Sequence, residues 1–211
     1  MDKGLSLKNV IITKGDTRLL SLSHDIHPGE VLTVMGPSGI GKSTLLAFIT
    51  GTLAPDFRAT GEVWLDGHNI THAAPHQRRV GILFQDDLLF PHLSVGANLA
   101  FGMKPGGTGG ERKAKITRAL EEVGLDGFAD RDPATLSGGQ KARVALMRML
   151  LSEPFALLLD EPFSRLDASR RSQVRDMVFD RARARLLPVL MVTHDADDAQ
   201  AAGGLILTLG E

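Results

Sequence analysis

The chain has 211 residues, 43% of them hydrophobic, with a formal net charge of −1 and no cysteine. That length supports one sizeable globular unit with room for a subdomain, and the near-neutral charge gives no electrostatic reason to expect nucleic-acid binding. The absence of thiols excludes disulfides, thiolate metal sites and cysteine catalysis. No apolar run approaches the roughly 20 residues that cross a bilayer, and MDKGLSLKN lacks a signal-peptide core, so a soluble, cytosolic chain is expected.

In chain order, residues 5–12 alternate as a strand, Lys14-Gly15-Asp16 signals a turn, and 18–26 reads as a second strand ended by His27-Pro28-Gly29. Residues 31–35 (VLTVM) are apolar and partly β-branched, which predicts a buried strand. Gly36-Pro37-Ser38-Gly39-Ile40-Gly41-Lys42-Ser43 then fits G-x-x-x-x-G-K-[ST], and 44–50 is helix-like with Gly51 as a stop.

Each residue type in that loop has a physical task. Glycines let successive backbone N–H groups converge on one anion, and the following helix adds its positive dipole end. Lys42 can reach β- and γ-phosphates, Ser43 offers a hydroxyl to Mg²⁺, and Thr44 suits the α-phosphate. Strand, glycine loop and helix together predict a nucleoside-triphosphate site.

Beyond it, TGEVWLD at 60–66 predicts another strand, giving a small antiparallel sheet around the start of an α/β core. His68, His72 and His76 recur every four residues, but Gly67 and Pro75 argue against a helix that would make them a metal face. The strand at 80–84 (VGILF) places Gln85 at its C-terminal end, the edge where open α/β sheets bind ligands. Gln85 can orient a water or offer a carbonyl to a metal. Leu88-Leu89-Phe90-Pro91 follows, an apolar knot that either packs locally or contacts another protein. PGGTGG at 105–110 reads as a flexible connector and 111–123 as a polar helix stopped at Gly124.

Leu136-Ser137-Gly138-Gly139-Gln140 opens a helix running to about 152. Ser137 is a good N-cap, and two glycines bare the first-turn N–H groups, making a second anion site. The strand at 155–159 ends in Asp160-Glu161, a carboxylate for Mg²⁺ beside one for water activation. Ser164-Arg165-Leu166-Asp167 forms a loop, and 168–185 a helix whose arginines read as a solvated face. A strand at 188–192 carries Thr193-His194-Asp195 at its tip, and 205–209 is the last short strand.

The order of GPSGIGKS, Gln85, LSGGQ, the ALLLDE string, SRLD and His194 resembles the ATP-binding-cassette ATPases over essentially the whole chain. LSGGQ is the diagnostic element. The resemblance implies a RecA-like P-loop NTPase core, α/β in class, with a small antiparallel β subdomain and an inserted α-helical subdomain at about 86–151. It also implies a head-to-tail homodimer with two ATP molecules between the cassettes, the signature string Leu136, Ser137, Gly138, Gly139 and Gln140 of one subunit facing the other's P-loop, with Ser137, Gly138 and Gly139 gripping the γ-phosphate held there. Carried over by position, Gly36, Pro37, Ser38, Gly39, Ile40, Gly41, Lys42, Ser43 and Thr44 bind the nucleotide with Lys42 on the phosphates, and Ser43, Gln85 and Asp160 hold Mg²⁺. Glu161 is the general base, His194 holds the γ-phosphate and attacking water, and Asp167 couples the two sites. Catalysis would then be positioning plus electrostatics on a transferring phosphoryl group.

Within that family, GILFQDDLLFPHLSVGANLAFG and TLSGGQKARVALMRML are similar to the short subunits of bacterial importers of the thiamine, sulfate, molybdate and iron type, and DEPFSRLD to YnjD-like transport ATPases. Two departures stand out. Arg165 replaces a common alanine, and the turn at 13–19 has no aromatic ring for adenine. Arg18, flanked by Ile12 and Leu19, is the planar group that turn offers to a base.

The resulting expectation is an ATP-hydrolysing transporter subunit bound to integral-membrane permease subunits at the inner face of the cell membrane. A substrate-binding protein would act through the permease, with no nucleic acid involved. Import is the leading direction. Export, a soluble non-transport cassette and a simple P-loop kinase are the alternatives.

Overall fold

Local sequence periodicity divides the strands between two sheets. The computed structural model describes residues 3–209 except 165 and 167. In chain order the elements are β1 (Leu5–Lys14), β2 (Thr17–Ile26), β3 (Val31–Met35), α1 (Lys42–Thr50), β4 (Phe57–Leu65), β5 (His68–Asn69) and β6 (Val80–Leu83). Then come α2 (Val95–Gly102), α3 (Gly109–Glu121), α4 (Gly138–Leu151), β7 (Ala156–Asp160), α5 (Ala168–Ala184), β8 (Val189–Thr193), α6 (Ala196–Ala202) and β9 (Leu205–Thr208).

The alternating strands form the four-stranded sheet β2-β1-β4-β5, antiparallel throughout. In β1 the buried residues are Leu5, Leu7, Val10 and Ile12. The step from even spacing to a gap of three falls at a bulge between Leu7 and Val10, where Asn9 takes φ 50°. One inserted residue thus returns the apolar set to the inner face. The first hairpin is longer than its hydrophobic pattern suggests, with Lys14 pairing Thr17 across the turn and Phe57 from β4 on its other side.

The continuous apolar runs form the second sheet, β6-β7-β8-β3-β9, parallel in the pairs β3–β8, β3–β9 and β7–β8. Every residue of β8 is buried, as are the first four of β7, the signature of a sheet covered on both faces. One apolar cluster joins Leu5, Leu7 and Ile12 of the antiparallel sheet, Leu45 and Ile49 of α1, and Leu158 and Leu190 of the parallel sheet. The glycine loop at the end of β3 therefore stands on a rigid base.

At the far end of α1 a buried arginine closes the helix. Arg78 Nη1 donates to the carbonyls of Phe48 and Ile49 at 2.8 and 2.9 Å. Its Nη2 reaches Thr71 O and its Nε reaches Ala73 O. These bonds satisfy last-turn carbonyls that a helix leaves open. Gly51 follows at φ 78°, and a Cβ there would stand 2.6 Å from Arg78 Nε, so only glycine fits this close approach.

The chain divides into two compact units: residues up to Ile82, Phe155–Glu161 and those from Phe179 on make one, and Leu83–Pro154 with Pro162–Val178 the other. The second unit contains α2, α3 and α4. Ser94, Thr108 and Ser137 cap these helices, Thr108 and Ser137 in reciprocal capping boxes with Glu111 and Gln140. No described helix is long and apolar enough to cross a membrane.

Candidate functional site

The loop between β3 and α1 has its tip, Pro37, Ser38 and Gly39, exposed, with Gly36 and Ile40 half-buried. Gly41 caps α1 at φ 102°, and a Cβ there would stand 3.2 Å from the Leu19 side chain of β2. This left-handed geometry turns the chain into the helix without a side-chain cap, leaving first-turn N–H groups facing the loop. Lys42 is buried. Its ammonium donates to the carbonyls of Gly36 and Pro37 at 2.6 and 3.0 Å, which puts the charge inside the curl of the loop. Ser43 is exposed and Thr44 half-buried on the first turn.

Two further strands bring acid and base chemistry to the same unit. Ser43 Oγ donates to Asp160 Oδ1 at 3.0 Å, joining α1 to the tip of β7. Burial pushes the Asp160 carboxyl above its ordinary value, and the neighbouring Glu161 charge adds to this, while the Ser43 hydrogen bond and Lys42 pull the other way. Glu161 sits one residue past the strand at φ 46°, its N–H donating to Val192 O at 3.0 Å. His194, immediately after β8, places Nδ1 2.9 Å from Glu161 Oε1. A non-glycine residue in the left-handed region costs on the order of 1–3 kcal/mol and persists where its surroundings fix it.

The structure thus brings together the loop, Lys42, Ser43, Asp160, Glu161 and His194. The other expected residues have these surroundings. Gln85 is exposed just past β6, in the second unit. In that unit Leu136 is buried, and Ser137 caps α4 by accepting from Gln140 N, while Gln140 Oε1 accepts from Ser137 N at 2.9 Å. A Cβ on Gly138 would meet nothing within 4 Å, so that backbone is open on its outer side. Arg18 is exposed near the start of β2, opposite Thr13. Asp167, expected to couple two subunits, lies outside the described residues, as does Arg165.

Three residues that shape these regions escape a reading of the sequence. Arg78 closes α1 from a polar stretch in which nothing marks it. Asn98, fully buried, binds the Phe90 N–H and the carbonyls of Phe90, Leu93 and Ser94. Arg148 of α4 donates to the carbonyls of Asp87 and Leu88 at 3.2 and 2.9 Å. For Asn98 the available signal is a polar residue on an otherwise apolar helix, whereas Arg148 is one of several polar residues of α4.

The ABC transporter family profile matches residues 19–164. The chain is 48% identical over 203 residues to the Uncharacterized ABC transporter ATP-binding protein YnjD of Escherichia coli (strain K12), covering 96% of this chain and 94% of that one. It is 46% identical over 183 residues to the Thiamine import ATP-binding protein ThiQ of Photobacterium profundum, covering 85% and 75%. To the Fe(3+) ions import ATP-binding protein FbpC of Escherichia coli (strain K12) it is 37% identical over 209 residues, covering 98% of this chain but 59% of that one. The chain belongs to the ABC transporter family, as an ATP-binding subunit that hydrolyses ATP.

Proposed function

We propose that this chain powers import of a small solute, working as an ATP-dependent homodimer on separate membrane permease subunits. Residues 1–211 act as one cassette, with about 86–151 as its signature-bearing helical part. It sits at the inner face of the cell membrane, and a substrate-binding protein delivers cargo to the permease. The observation that carries the reading is the pairing of two contacts in one unit. Ser43–Asp160 joins the phosphate loop to a carboxylate, and Glu161–His194 poises a second carboxylate beside it. The import direction draws on relatives whose names specify thiamine and Fe(3+) import.

The residues present fit Mg²⁺. Ser43 Oγ and Asp160 Oδ1 are hard oxygens already 3.0 Å apart, and a cation relieves the desolvated Asp160 charge. Ser43, Asp160 and Gln85 would hold it, and when bound it neutralises charge on the phosphate oxygens. Lys42 and the loop N–H groups bind the triphosphate. Glu161 accepts the proton of the attacking water, and His194 Nδ1 orients that carboxylate. Ser137, Gly138 and Gly139 complete the site on the partner cassette, and Asp167 links the two.

Affinity purification from solubilised membranes tests this reading. The expected result is a stoichiometric multi-spanning protein whose reconstitution with this chain makes solute uptake depend on ATP. Reconstituted outward transport would establish an exporter instead, and purification of a fully active chain without any membrane partner would establish a soluble cassette.

A further inference from the structure

We propose that Phe57, with Lys14, is the platform on which the nucleotide base stacks, supplied by β4 rather than by the turn between β1 and β2. The inference rests on the triphosphate site above and names how the same ligand is held at its other end.

The glycine loop fixes where a base can lie. Leu19 and Leu20 at the start of β2 pack on Gly41, so this end of the antiparallel sheet stands beside the phosphate loop. From Leu19 it is two residues back to Thr17, which pairs with Lys14, which in turn pairs with Phe57. Two strand spacings of about 4.8 Å put Phe57 on the order of 10 Å across the sheet from β2. An extended nucleoside triphosphate can span that gap from its phosphates to its base.

The other rings of this unit are excluded one by one. Phe48 and Phe179 are buried in the core. Phe155 precedes β7, at the opposite end of that strand from Asp160, and carries the Arg79 guanidinium 3.5 Å from its centroid. Trp64 pairs with Ser6 at the far end of β4, roughly 23 Å along the strand from Phe57, and lies under Lys8. Phe57 remains, half-buried at the start of β4.

Its ring is also suitably dressed. The Lys14 ammonium covers it, 5.5 Å from the centroid, near the outer limit of a cation–π contact. Lys14 is exposed on a flexible stem, so a base can take the ring face while the ammonium moves to its edge. Arg18 and Arg58 stand opposite Thr13 on either side. A flat aromatic ring among cations suits a purine carrying a polyanionic tail, and stacking of this kind holds any base.

The test uses the full chain carrying Glu161→Gln, with equilibrium binding of ATP and of inorganic triphosphate, which has no base. Phe57→Ala is expected to weaken ATP about five- to tenfold while leaving triphosphate within about twofold. Phe57→Tyr is expected to keep parent affinity. Phe57→Leu, which keeps the strand's bulk without a ring, is expected to lose ATP affinity like Phe57→Ala, and it carries the test if the alanine variant fails to fold. Unchanged ATP binding in the leucine variant, or triphosphate binding that falls in step with ATP, would overturn the platform. A parent protein that binds neither ligand would overturn the triphosphate site itself, and the platform with it.

Discussion

His194 Nδ1 lies 2.9 Å from Glu161 Oε1, so the carboxylate at the tip of β7 is held by the first residue after β8. The same pair of strands fixes the Glu161 backbone, whose N–H donates to Val192 O. Glu161 is thus anchored twice, by β8 and by the residue that follows it. His194→Ala is expected to lower ATP turnover by about 10²- to 10⁴-fold while leaving ATP affinity within a few-fold. Steady-state kinetics beside equilibrium binding checks the split, and an equal loss in both would assign His194 to binding instead.

The buried carboxylate beside this pair makes stability depend on pH. Asp160 holds its proton to higher pH in the native state than in the unfolded chain, chiefly because of burial. Between those two values the native state binds more protons, so the group's contribution to stability falls as pH rises. In metal-free protein Asp160→Asn is therefore expected to raise Tm at about pH 7. The gain should vanish below the ordinary carboxylate range, and thermal melts across pH would show it. A gain that persists there would place its origin elsewhere.

Arg78 predicts a large structural loss. Its guanidinium is buried and donates to four carbonyls, two of them in the last turn of the phosphate-loop helix. Arg78→Ala removes the donors to these carbonyls, of which Phe48 O keeps its bond from the Gly51 N–H, and is expected to cost about 3–5 kcal/mol in denaturant unfolding. Arg78→Lys should recover only part, because an ammonium cannot reproduce the planar fork.

The apolar segment after Gln85 separates into packing and contact residues. Phe90 is half-buried, its ring 4.6 Å from Phe101 and its backbone bound by Asn98. Leu88 is 56% exposed at φ 46°, and Phe101 is 68% exposed. Leu88→Asp and Phe101→Asp are expected to abolish permease binding and leave ATPase of the isolated chain within a few-fold, since aspartate tolerates the Leu88 backbone. Phe90→Asp, by contrast, should destabilise the second unit by about 2–4 kcal/mol. Pull-down with the permease beside denaturant melts distinguishes the roles, and undiminished binding by both exposed variants would remove the docking surface.

Much of this architecture is legible because periodicity and glycine placement state it locally. The apolar runs at β3, β7 and β8, the glycine loop and the capped start of α4 each announce themselves within a short window. What stays hidden depends on contacts between distant segments. Nothing near Phe57 marks the β4 extension, because the pairing with Lys14 that creates it spans 43 positions (57 less 14). The short helices α2 and α6, of 8 and 7 residues, are too brief for periodicity to show a face. Arg78 and Arg148 act through carbonyls of other segments, which leave no trace in a side-chain pattern. Arg18 stands out by its place in the turn, and only strand register shows an aromatic ring arriving beside Lys14 from β4.

The assignment of Glu161 as the base of the ATPase, proposed above, stands on its place beside His194. Its most direct test is Glu161→Gln, which preserves shape and can still accept from His194 but cannot take the water's proton. Turnover is expected to fall by at least about 10²-fold while ATP binds as in the parent, with an ATP-bound dimer accumulating on size exclusion. Near-parental turnover in this variant would contradict the assignment of Glu161 and the account of the site built on it.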